Sequence, residues 1–131
     1  MLADGGEDSL ELCQGLPFVL VRGTRHNSGT EPLDVSKSVP AVFTLDLGKP
    51  AAELRTMGTA GLTAPDQHPG SYLFLTLADP ATRRGVVAGW LTEDRGSGVL
   101  FSSIKAGAVE FKAQIDYGHL RIPAGKSAKL K

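Results

Sequence analysis

Glu93, Asp94 and Arg95 stand side by side in a glycine- and serine-rich stretch. Two carboxyl groups about 5 to 10 Å apart, flanking the scissile bond, are what hydrolysis of a glycoside needs. Adjacent residues of an extended chain point to opposite sides, and turn carboxylates beside an arginine are ordinarily solvated, so turn chemistry is the simpler reading. Asp66, Gln67 and His68 form a second polar triplet. His26, His68 and His119 lie far apart, and none has a second His or Cys at ligand spacing. No metal and no cofactor is expected. The serines, Ser9, Ser28, Ser71, Ser97 and Ser102 among them, include no Gly-x-Ser-x-Gly elbow. No helix start follows Gly96-Ser97-Gly98, which therefore suits a tight turn better than a phosphate cradle. No catalytic residue is assigned.

Trp90 and Tyr72 are the aromatics that a sugar site would use, because the apolar C–H faces of pyranose rings stack on such rings. Burial competes for both, and Trp90 stands within an apolar run that reads as core. The sugar-binding candidates are thus Asp66, Gln67, His68, Tyr72, Trp90, Glu93, Asp94 and Arg95.

These residues must be positioned by strands. Residues 72–78 form a short apolar run rich in aromatic and branched side chains, as a strand buried on both faces would. Asp79-Pro80 ends it, and a polar loop leads to a second strand over 86–91. A turn over 92–98 leads to a third over 99–104. Residues 109–117 alternate cleanly, with Val109, Phe111, Ala113, Ile115 and Tyr117 on one face. Residues 41–47 do the same through Ala41, Phe43, Leu45 and Leu47. A strand over 18–24, a hairpin loop over 25–32 and short strands at 33–35 and 120–122 complete the pattern. Residues 51–57 suit either a strand or one helical turn, and 58–70 read as the longest loop. No amphipathic helix is expected. The fold class is all-β, an antiparallel β-sandwich of about eight to ten short strands. Residues 1–9 are expected to be disordered, 10–131 to form a single sandwich domain, and the basic end at 126–131 to fray unless more chain follows.

Composition narrows the function classes. Fourteen basic residues balance fourteen acidic ones, leaving no overall field for nucleic acid or an anionic membrane. A mean hydropathy of -0.05 and the lack of any long apolar run argue against a membrane span. Cys13 is the single cysteine and closes no internal disulfide, and no basic start precedes an apolar segment. Neither feature fixes a compartment.

The string Leu-Ala-Asp-Pro-Ala-Thr-Arg-Arg-Gly-Val-Val-Ala-Gly-Trp-Leu-Thr-Glu-Asp-Arg-Gly-Ser-Gly-Val-Leu-Phe, residues 77–101, resembles the β-sandwich domain that precedes the catalytic barrel of α-galactosidase-like glycoside hydrolases. The hairpin pattern over 27–47 and the tail over 122–131 are similar too, so the resemblance runs from about Phe18 onward. Those enzymes carry their nucleophile and acid/base aspartates on barrel strands for which this chain has no room. The resemblance therefore implies a non-catalytic accessory domain, excised from a larger hydrolase, that packs on such a barrel and shapes its entrance. Its expected partner is the barrel of the same parent chain. The alternative is a carbohydrate-binding module that recognises sugar through loop residues and an aromatic. A small independent enzyme has no motif to support it.

Overall fold

The computed structural model describes residues 6–130. Their secondary structure is β throughout, apart from one three-residue 3-10 turn at Ala51–Glu53. The strands are β1 (Gly6–Leu12), β2 (Val19–His26), β3 (Leu33–Leu45), β4 (Arg55–Gly58), β5 (Gly61–Thr63) and β6 (Ser71–Tyr72). They continue with β7 (Phe74–Asp79), β8 (Arg84–Gly89), β9 (Ser97–Lys105), β10 (Ala108–Ile122) and β11 (Ser127–Leu130). Eleven strands exceed the eight to ten expected, and β3 and β10, at 13 and 15 residues, are not short. The all-β, antiparallel, sandwich-like class is the one the alternation predicts.

The described residues form two compact units, one running to Pro40 and resuming at Ile115, the other Ala41–Gln114. In the first, β1, β2 and β11 form a three-stranded sheet with β2 in the middle. Leu10 pairs with Val21 and Leu12 with Val19, while Glu11 on the other side of β1 reaches Arg22 at 3.4 Å. The disorder expected over residues 1–9 is thus overturned over 6–9, which lie in β1; residues 1–5 fall outside the described residues. Ser127–Leu130, expected to fray, pairs with β2 from Ser127↔His26 to Leu130↔Gly23. Lys131 lies outside the described residues.

Buried Asn27 ties this unit together. Its Nδ2 donates to Glu31 O at 2.8 Å and Ile122 O at 2.9 Å, and its Oδ1 accepts from Gly29 N at 3.0 Å. Its backbone exchanges bonds with the turn before β11, N–H to Lys126 O and C=O from Gly125 N.

The second unit is built on a four-stranded sheet, order β5-β4-β7-β8, and on strands of another, order β3-β10-β9-β6. Leu75 and Leu77 on β7 pack with Leu100 on β9 and with Val109, Phe111 and Ala113 on β10. Ala41, Phe43, Leu45 and Leu47 line the same cluster, as their spacing predicts. Each fully buried Leu or Phe stabilises the unit by about 1.5 to 3 kcal/mol.

The expected strand over 72–78 is split. Ser71–Tyr72 pairs with β9, whereas Phe74–Asp79 pairs with β4 and β8, so the chain changes sheets at Leu73, whose φ is 68°. β7 also has one wet face, not two buried ones: Leu75, Leu77 and Asp79 point inward, and Phe74 and Thr76 outward. The expected loop over 58–70 holds β5, which forms a tight hairpin with β4.

Candidate functional site

The eight candidate residues fall into three places in the second unit. Asp66 and Gln67 sit on a turn over residues 64–67, closed by Gln67 N–H donating to Ala64 O at 3.0 Å. Pro65 at its corner is fully buried, and its carbonyl accepts from Ser102 Oγ on β9 at 2.6 Å. That bond fixes the turn against a strand. The Thr56 and Thr63 hydroxyls, 2.9 Å apart, hold β5 to β4 on the inward side. Between these elements lies an open concavity of about 490 Å³ lined by Arg55, Leu62, Thr63, Asp66, Gln67 and Ile104 among others. Arg55 Nη1 donates to Ala52 O at 2.9 Å and Leu54 O at 2.7 Å, which orients its guanidinium.

His68, next in sequence, does not join them. It is 6% exposed; Nδ1 accepts from Gly70 N–H at 3.2 Å, while buried Nε2 has no hydrogen-bond partner. Accepting at Nδ1 leaves the proton on Nε2 in the neutral ring. Its neighbourhood is Gly58 and fully buried Ser71, whose Oγ accepts from Thr59 N–H at 2.9 Å and donates to Phe74 O. The Ser71 hydroxyl is therefore committed to holding two chain segments.

Trp90, Glu93 and Tyr72 gather around the start of β9. A Cβ on Gly98 would fall 2.4 Å from Trp90 ring atoms, so the indole rests on bare backbone there. Trp90 N–H donates to Leu73 O at 2.9 Å, and Glu93 Oε1 accepts from Gly98 N–H at 3.0 Å. Tyr72 pairs with Val99 and is 56% exposed. Trp90 follows β8 rather than standing inside a strand, and it packs half-buried against the core cluster. Its role is packing. Glu93 closes its own turn, and Asp94 and Arg95 are exposed on that turn. Among the described residues, no three His, Cys, Asp or Glu side chains gather as a metal site.

A pKa displacement lies away from these places. Asp79, buried at the end of β7, has its carboxyl held below the ordinary aspartate value, first by the Thr82 hydroxyl at 2.8 Å and then by Ala81 N–H at 3.0 Å. These bonds shape the β7–β8 turn.

A feature that sequence reasoning did not locate is the outward face of the β5-β4-β7-β8 sheet. Leu62 faces Met57, Met57 faces Thr76 and Thr76 faces Val87, one unbroken row across four strands. Leu62 is 71% exposed, Met57 47% and Val87 67%, and Phe74 lies two residues along β7 on the same face. A solvent-facing side of an antiparallel sheet is ordinarily polar. Here it is apolar.

No family model matches this chain, and no curated protein or solved structure matches it.

Proposed function

We propose that the chain is a non-catalytic accessory module of an α-galactosidase-like glycoside hydrolase, and that it packs on the catalytic barrel through the outward face of its second unit. The observation that carries this reading is the row Leu62, Met57, Thr76 and Val87 with Phe74 beside it. Exposed apolar side chains clustered on one sheet face in this way mark an interaction face. The face is built on regular strands, so it is rigid and costs little conformational entropy to dock.

The candidate carboxylates support a positioning role over chemistry. Glu93 is engaged by its own turn, and Asp66 neighbours an amide and a half-buried guanidinium rather than a second carboxylate. In the enzymes the chain resembles, two carboxyl groups on the barrel carry hydrolysis with retention. This module would stabilise that barrel and wall part of its entrance. The test is an assay of the purified chain, alone and with an α-galactosidase-type barrel, on p-nitrophenyl α-galactoside and raffinose. Turnover is expected only with the barrel present; turnover by the chain alone overturns the non-catalytic role.

A further inference from the structure

The sheet of the first unit ends on two strand edges of opposite charge. β1 and β11 flank β2, so alternate backbone N–H and C=O groups of each point away from their one partner strand. Every residue of β1 from Glu7 to Leu12 is exposed, and neither edge strand contains proline. β1 carries Glu7, Asp8 and Glu11, whereas β11 carries Lys129 and is entered through Lys126. Of these five, only Glu11 is ion-paired among the described residues, with Arg22. Charges on an edge ordinarily hold sheets apart. Here the sign is uniform along each edge and opposite on the two, which disfavours the pairing of like edges and favours that of unlike ones.

We infer that this sheet is an interaction surface for a second copy of the chain, the β1 edge of one copy adding to the β11 edge of the next. The registers set the direction. β1 and β11 are both antiparallel to β2 and so run parallel to each other, and a second copy whose sheet faces stay aligned with the first joins through parallel β1 and β11. Gly23 stands opposite Asp8 on one side and Leu130 on the other, and Arg25 opposite Gly6 and Ala128, so Leu10 and Leu12 share a face with Ala128 and Leu130. Leu10 and Leu12 are 69% and 80% exposed in the single chain, and the added strand gives them apolar neighbours. Glu7, Glu11 and Lys129 share the opposite face, where the pairing joins unlike charges. A twofold pairing of β1 with β1 would instead set Glu7, Asp8 and Glu11 against their own copies. The contact is head-to-tail and grows into chains or closes into a ring. It belongs to the first unit and does not rest on the docking role given to the second.

The experiment is sedimentation velocity of the full chain over a range of concentrations up to millimolar, at low and at high salt. Wild type should self-associate as concentration rises, and less so in high salt. The double variant Glu7→Lys, Asp8→Lys makes both edges basic, and Lys126→Glu, Lys129→Glu makes both acidic; all four side chains are exposed. Each variant alone should associate at least about tenfold more weakly than wild type. Mixed in equal amounts they should recover association, because each then offers the other an edge of opposite sign. Circular dichroism checks the fold, and if either double variant is unfolded the single changes Glu7→Lys and Lys129→Glu carry the same expectations. A wild type that stays monomeric, a variant that associates as wild type does, or a mixture that stays monomeric would overturn the inference.

Discussion

The indole of Trp90 rests on the backbone of Gly98, at a spot where any side chain would put a carbon 2.4 Å from the ring. Gly98 is therefore fixed by contact with a neighbour and not by its own backbone angles. Gly98→Ala should push the ring off the core and destabilise the second unit by about 1 to 3 kcal/mol. Trp90 is the only tryptophan, so its fluorescence reports the change directly. Unchanged emission and an unchanged urea midpoint would refute the contact.

Asn27 uses its amide as a double donor to the Glu31 and Ile122 carbonyls. Asn27→Asp sets a carboxylate oxygen against at least one of them in a buried place. The expected cost is about 3 kcal/mol by urea unfolding, with the loss of the β2–β11 connection visible as faster amide exchange in 127–130. Stability within error of wild type would contradict the role given to this residue.

Asp79 has a depressed pKa in the folded chain. Its contribution to stability is complete above the unfolded value, about pH 4, and is lost as pH falls through the folded value below that. Asp79→Asn should be less stable than wild type near neutral pH and should lose part of the acid-side decline. Parallel stability curves for the two proteins below pH 5 or so would contradict this assignment.

Lys105 and Ala108 are joined by Ala106 and Gly107, both left-handed, with φ of 49° and 79°. Two positive angles in a two-residue hairpin suit Asn-Gly, while alanine at the first position is strained. Ala106→Asn should raise the melting midpoint, with a gain of about 1 kcal/mol. A fall would show that Ala106 makes a contact that outweighs its backbone strain.

What was legible in the chain follows from how local each signal is. Val109, Phe111, Ala113 and Ile115 alternate without a break, and all four are buried on β10. The acidic β1 and basic β11 carry too few apolar residues to announce strands; pairing with β2 makes them so. The change of sheet at Leu73 was hidden because both flanking segments are equally apolar. Asp66 and Gln67 were singled out from a polar loop, but Arg55 and Ile104 reach the concavity only through sheet pairing and the Ser102–Pro65 bond. The apolar row was illegible for the same reason, since its members come from four strands whose register no single segment encodes.

The docking role proposed for that row is tested by calorimetric titration of the chain against an α-galactosidase-type catalytic barrel. Wild type should bind with a negative heat-capacity change, the mark of buried apolar surface. The double variant Leu62→Lys, Val87→Lys, checked for an unaltered fold, should bind at least about thirtyfold more weakly. No binding by wild type, or equal binding by the double variant, would contradict the docking role of this face.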